Sequence, residues 1–287
     1  MTVSSLVQHF EFRGHRVAFV SAGNGPPMLL VHNAGNDHVI WSHQLNHFAS
    51  SYTVYGVDLL GFGASDTPEI TYDLPLFADL LAEMVSALGL SAVTLVGNCI
   101  GAAATLAFTA KNPGAVKRLI LFHLATGAGL RQGPIGLTYR LRSHFPWPRY
   151  TFDKLAVFFN SFAFTRHRVQ RFVYAVPPDP HDPIFAHVRR LGDDPRQFSA
   201  RYSTMMHLPS FDVLDDLVRP AGFPPTLVLW GRQNRVLSIA SGRAFAARFR
   251  ADRFEEIDNA GHMAMNEAPA DVNRRIDEFL ATSGSQG

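Results

Sequence analysis

A single cysteine, Cys99, stands at the centre of Gly97-Asn98-Cys99-Ile100-Gly101, directly after the apolar run Val93-Thr94-Leu95-Val96. Two glycines flanking a nucleophilic side chain between a strand pattern and a helix pattern mark a strand-to-helix elbow. Here sulfur stands where such elbows usually carry a serine oxygen. Gly97 and Gly101 remove side chains that would collide in so sharp a turn, and the middle residue is then driven into a cleft in a strained backbone conformation. Ile100 to Ala110 predicts the helix that follows, rich in alanine and stopped by Asn112-Pro113-Gly114. A free cysteine is more often a small buried apolar residue. The paired glycines favour a nucleophile at this position.

The elements that must position this residue follow from the hydrophobic pattern. Gln8 to Phe12 and Val17 to Val20 read as a hairpin turning at Arg13-Gly14-His15. Met28 to Val31, Thr53 to Val57, Val93 to Val96 and Leu119 to Phe122 are continuous apolar runs, which suit strands covered on both faces. Leu74 to Leu88 carries apolar residues at helical spacing, with Asp79 and Glu83 on its wet side. From Thr126 to about Leu217 the strand rhythm stops and the chain becomes aromatic, arginine-rich and broken by prolines. It resumes at Thr226 to Trp230 and Arg253 to Ile257, and Ala270 to Leu280 closes as an amphipathic helix. The expectation is an α/β fold, doubly wound around a mostly parallel sheet. Residues 1–125 and 218–287 would form the core and 126–217 an inserted helical cap.

Four segments together resemble the α/β-hydrolase superfamily with a cap, over nearly the full length of the chain. They are the elbow at Cys99, Val31-His32-Asn33-Ala34-Gly35, Val57 to Ser65, and Asn259-Ala260-Gly261-His262. The resemblance implies that Ala34, and Ile100 after the nucleophile, supply the two oxyanion-hole amides, with Asn33 where glycine is usual. It also implies that His262, last in the chain order, is the base among thirteen histidines. The segment from Asp58 to Ser65 reads as structural, and His32 and His123 are weaker candidates for the base.

The chain departs from that pattern at the acid. Gly231-Arg232-Gln233-Asn234 places asparagine where the family keeps aspartate, and Phe122-His123-Leu124 lacks a carboxylate at the alternative place. The two changes make sense together. A thiol with an ordinary pKa of about 8.5 falls beside histidine or at a helix N-terminus, so a thiolate and imidazolium would stand ready and the ring would need only alignment. The expectation is that the Asn234 carbonyl accepts the imidazole N–H, a Cys-His-Asn arrangement known on an unrelated fold.

An acyl group on sulfur is a thioester, still activated toward other acceptors, so acyl transfer through Cys99 is the favoured reading. Hydrolysis of an ester, thioester or carbon–carbon bond by the same residues is the alternative, and a non-catalytic ligand-binding homologue is the third. Between Arg131 and Arg171 seven arginines and one lysine face one acid, Asp153, and are interleaved with Phe145, Trp147, Tyr150, Phe152, Phe158, Phe159, Phe162 and Phe164. Such density predicts a cap core and the ceiling of an apolar pocket. The basic excess suits a small-molecule acyl substrate carried on coenzyme A or an acyl-carrier protein.

Composition bounds the remainder. A chain of 287 residues, 47% hydrophobic and 17% charged, can bury one large core. A net charge of +2 with no recognition motif argues against nucleic acid. One cysteine allows no internal disulfide. With no secretory pattern at Met1 to Arg13 and no apolar run of about 18 residues, a cytoplasmic address without membrane contact is expected. No cofactor or metal is expected from ligand spacing.

Overall fold

The computed structural model describes residues 6–144, 155, 158, 159, 162 and 172–282. Eight strands form one sheet: β1 (Gln8–Phe12), β2 (His15–Ala22), β3 (Pro27–Val31), β4 (Thr53–Val57), β5 (Val93–Asn98), β6 (Val116–Phe122), β7 (Thr226–Gly231) and β8 (Arg253–Ile257). Their spatial order is β1-β2-β4-β3-β5-β6-β7-β8. Only the β1–β2 and β2–β4 pairs are antiparallel, and the pairs from β3–β4 to β7–β8 are parallel. This is the mostly parallel α/β sheet expected from the apolar runs, in the α/β-hydrolase arrangement that the four resembling segments imply.

The helices are α1 (Ser42–Phe48), α2 (Leu74–Ala87), α3 (Ile100–Lys111), α4 (Gly127–Gln132), α5 (Pro134–Ser143), α6 (Pro183–Asp193), α7 (Pro195–Met206), α8 (Ile239–Phe249), α9 (Ala264–Glu267) and α10 (Pro269–Thr282). Local chemistry sets their starts. Asp73 accepts from the Leu76 N–H at 3.0 Å, Asp182 from Phe185 at 2.7 Å and Thr126 from Gly129 at 3.2 Å. Each such cap contributes about 1 kcal/mol.

The sheet is buried on both faces, which explains why its strands are apolar without a break. Alternate residues separate into two cores. Leu29, Val31, Leu95, Leu119, Leu121, Val228 and Trp230 join one cluster with α2 and α3. Met28, Leu30, Val96, Ile120, Phe122, Leu227 and Leu229 join the other, which includes residues of α1 and α10. The chain passes from β3 to β4 on one side and returns to β5 on the other. The winding therefore reverses between β3 and β5, and open α/β sheets bind ligands at the carboxyl ends of the strands at such a point.

Between β6 and β7 the described residues are helical, in α4 to α7 and the turn Leu208–Leu214. Phe145, Trp147, Tyr150, Phe152, Asp153 and Phe164 lie outside the described residues. Phe158, Phe159 and Phe162 do not take the covered positions that their sequence context suggests. Their rings meet at 5.8 and 5.3 Å yet remain 56%, 57% and 50% exposed. Among the described residues no helix is long and apolar enough to cross a membrane.

Candidate active site

Cys99 joins β5 to α3 with φ +55° and ψ −111°, a conformation that L side chains rarely adopt and that surrounding structure must impose. The flanking glycines show how it is imposed. A Cβ on Gly101 would stand 2.3 Å from the Val31 carbonyl oxygen, and one on Gly97 would stand 2.5 Å from the Gly101 oxygen. The start of α3 thus lies directly on the end of β3. The Cys99 N–H donates to the Phe122 carbonyl at 3.0 Å, fixing the elbow against β6. Ala34 packs against the same apolar cluster that holds Cys99 and Ile100. The two amides expected to receive an oxyanion therefore belong to adjoining loops.

Asn234 and His262 arrive on the loops after β7 and β8, which are laced together. Gln233 N–H donates to the Ala260 oxygen at 3.0 Å, and the Gln233 side chain returns a bond from Ala260 N–H at 3.1 Å. The His262 N–H donates to the Val173 oxygen at 2.7 Å. The Glu267 carboxylate takes N–H groups from Ala175 at 2.6 Å and Gly261 at 2.7 Å. Asn98, the residue before Cys99, reaches the His262 carbonyl with its Nδ2 at 3.4 Å. The elbow and the histidine loop are thereby brought together across the end of the sheet.

The side chain of Asn234 does not take the orientation expected from the sequence. Its Oδ1 accepts the backbone N–H groups of Val236 at 2.9 Å and Leu237 at 3.1 Å, leaving Nδ2 facing His262 Nδ1 at 3.1 Å. The amide nitrogen can only donate. Asn234 therefore meets the ring as a donor, and its carbonyl is engaged by its own turn.

Burial works against the expected thiolate–imidazolium pair. Burial pushes the Cys99 thiol up to about 12, against a small favourable bond from the Ile100 N–H. Burial likewise brings His262 down to about 4. Cys99 is 5% exposed and His262 2%, and removing each from water penalises its charged form. Among the described residues no hydrogen bond joins the thiol to the ring. A helix N-terminus alone does not offset that desolvation.

His123 occupies the alternative acid position, directly after β6. It is fully buried, hydrogen-bonded through Nδ1 to Asn98 Oδ1 at 3.0 Å and accepting the Gly231 N–H at Nε2 at 2.9 Å. Burial first, and the neighbouring His262 second, hold it well below its ordinary range. It ties together the strand ends that carry Cys99, Asn234 and, through Asn98, His262. His32 is bound to Asn33 O at 2.8 Å and to Leu59 N–H at 2.9 Å and is a structural brace.

One group of metal-ligating atoms lies close together among the described residues: Asp37, His38 and Asp58, within 4.8 Å of one another. Their oxygens are engaged by hydrogen bonds. Asp58 takes the His38 N–H at 2.8 Å, His38 Nδ1 at 2.7 Å and Ala64 N–H at 2.9 Å. Asp37 takes Val39 N–H at 3.0 Å and His187 Nε2 at 2.6 Å. Geometry of this kind joins the loop after β4 to α6 without requiring an ion.

A strained elbow after the fifth strand, tied through Asn98 to the loop of a late histidine at the end of an eight-stranded sheet, defines an α/β-hydrolase-fold enzyme. Residues 28–275 match the model of the alpha/beta hydrolase family, and the chain belongs to that family. An uncharacterized protein of Mycobacterium tuberculosis is 34% identical over 137 residues, covering 48% of this chain and 39% of that protein. The chain thus matches about two fifths of that relative's length. Epoxide hydrolase 3 of Xenopus tropicalis is 25% identical over 98% of this chain and 80% of its own. An alpha/beta hydrolase fold protein from Burkholderia ambifaria superposes with a TM-score of 0.77 at 21% identity, covering 94% of this chain and 97% of the other.

Proposed function

We propose that this protein carries an acyl group on Cys99 and passes it to an acceptor. The observation that carries the reading is the left-handed backbone of Cys99 between two glycines that tolerate no side chain. Strain of that kind costs about 1–3 kcal/mol and persists where it serves a site. In the reaction the Cys99 thiol gives its proton to solvent, which later supplies the proton taken by the leaving group, and the resulting thiolate attacks the acyl carbon of a thioester or ester. The carbonyl oxygen becomes an oxyanion received by the N–H groups of Ala34 and Ile100, worth roughly 3–4 kcal/mol per donor. The bond to the leaving group then breaks, and the leaving group departs with a proton. An acceptor attacks the resulting thioester in the same way and releases Cys99. Asn234 orients the His262 ring through Nδ1, and Glu267 fixes the loop that carries it.

The apolar surroundings of Cys99, which lies in the hydrophobic core with Ala125 N–H on its carbonyl at 3.4 Å, are our ground for an apolar acyl group. The basic excess of the sequence between 131 and 171, in which Arg131 is paired with Asp212 and Arg149, Arg166, Arg168 and Arg171 lie outside the described residues, is our ground for delivery on coenzyme A or a carrier protein, and the single free thiol fits a cytoplasmic address. Release of the acyl group to water is the second reading, favoured by the hydrolase name of the Xenopus relative, which spans most of the chain.

Incubation with a panel of acyl thioesters, followed by intact mass measurement, tests the proposal. The expected result is one acyl adduct on the native protein and none on Cys99→Ala. No adduct with any donor, or an adduct that survives Cys99→Ala, overturns it and leaves a ligand-binding role.

A further inference from the structure

We infer that the site transfers its acyl group to acceptors that arrive already deprotonated, thiolates above all, because Asn234 holds His262 as a hydrogen-bond donor and leaves the site without a base. The inference rests on the acyl-enzyme reading above. Its core is the orientation of one amide. Turning the Asn234 side chain over would set Nδ2 against the Val236 and Leu237 N–H groups and lose both bonds, at a cost of about 1–3 kcal/mol for each buried group left unpaired. Nδ2 is thus held 3.1 Å from His262 Nδ1.

A neutral imidazole has one donor and one acceptor nitrogen. With Nδ1 accepting, the proton resides on Nε2, the nitrogen turned away from Asn234. Protonating Nδ1 as well would set two donors face to face. The groups packed around the ring do not compensate. His123 lies on its face, the Cys99 thiol is neutral, and the Glu267 carboxylate is bonded to Gly261 and Ala175 rather than to the ring.

Water and alcohols must lose a proton as they attack a thioester, and here no ring nitrogen is free to take it. A thiolate has already given its proton to solvent. It adds to the acyl carbon, and the carbon–sulfur bond to Cys99 breaks. The electron pair stays on the Cys99 sulfur, beside the Ile100 N–H, until solvent returns a proton. The net change is one thiol exchanged for another.

The test begins with Cys99 acylated by a benzoyl thioester and chased at several pH values with 2-mercaptoethanol, ethanol or buffer alone, against a free benzoyl thioester as reference. The thiol chase is expected to rise about tenfold per pH unit below the thiol's own pKa, and ethanol to match buffer. In Asn234→Asp one oxygen keeps the turn and the other accepts Nδ1–H, freeing Nε2 as a base. Release to water should then rise at least tenfold; the reverse change in a serine triad costs about ten-thousandfold. A purely structural lesion would slow both chases together. Nitrogen NMR of His262 supplies a readout that needs no acylation: the proton should sit on Nε2 in the native protein and on Nδ1 in Asn234→Asp. A native Nδ1 proton, or release to water that is fast and indifferent to Asn234→Asp, overturns the inference while the adduct stands. Absence of any adduct sinks the acyl-enzyme reading instead.

Discussion

The imidazole of His123 lies against that of His262, with centroids 5.1 Å apart and planes inclined by 33°. Two buried rings so close cannot both carry charge, and burial keeps both neutral. His262 should therefore titrate near 4 by proton NMR. An unfolded histidine binds its proton near 6.5, so the native state loses stability as pH falls from about 6.5 toward 4. Truncating His123→Ala strands Asn98 Oδ1 and the Gly231 N–H in the core and opens a cavity. The expected loss in denaturant unfolding is about 2–5 kcal/mol, and no loss would show that the ring is not a brace.

Alkylation of Cys99 reports on the thiol directly. With its pKa pushed up to about 12, the iodoacetamide rate should climb about tenfold per pH unit through pH 9. A plateau near neutrality would mean that a thiolate stands ready in the resting protein. Asn234→Asp should lower the inflexion by admitting an imidazolium beside the sulfur.

His38 and Asp58 make a pH-dependent contribution to stability. Burial alone would lower His38, but the hydrogen bond and charge of Asp58 raise it above its usual 6.5. Burial would raise Asp58, and His38 brings it below its usual 3.8. The histidine term is complete below 6.5 and fades as pH rises through the raised value. The aspartate term is complete above about 3.8 and fades below it. The stability lost in His38→Gln, followed by urea unfolding, should thus be greatest between about pH 4 and 6.5 and shrink on the alkaline side. A difference that grows above pH 7 would contradict the pairing.

Glu267 connects the His262 loop to residue 175 with both oxygens. Glu267→Gln keeps one acceptor and points an amide donor at the other N–H. A loss of about 1–3 kcal/mol is expected, with slower Cys99 acylation and an unchanged pH profile, since Glu267 does not touch the ring. A shifted profile would give the carboxylate a direct electrostatic role.

The strands were legible because burial on both faces demands unbroken apolar runs. Val93–Asn98 and Thr226–Gly231 are buried throughout and announce themselves in the sequence. The helices α1 and α8 did not. Ser42–Phe48 has only Gln44 and Leu45 as good helix formers among seven residues and follows a 3-10 turn capped by Asp37. Ile239–Phe249 carries Gly242 in its middle, a poor helix residue alone. It is placed there because a Cβ would stand 2.5 Å from the Trp230 ring. That contact spans sequence-distant elements and leaves no local sign.

Residue types along the chain by themselves determined the architecture, the elbow and the residue at its centre, because glycine spacing and apolar periodicity are local consequences of backbone sterics and burial. They also placed Asn234 and His262 on loops at the same end of the sheet. Which atom of Asn234 meets His262, and whether sulfur and ring carry charge, was decided only by the tertiary structure. The amide's direction depends on the backbone donors of Val236 and Leu237, and the charge states on how completely the folded chain excludes water from Cys99 and His262. Neither is encoded in residue type.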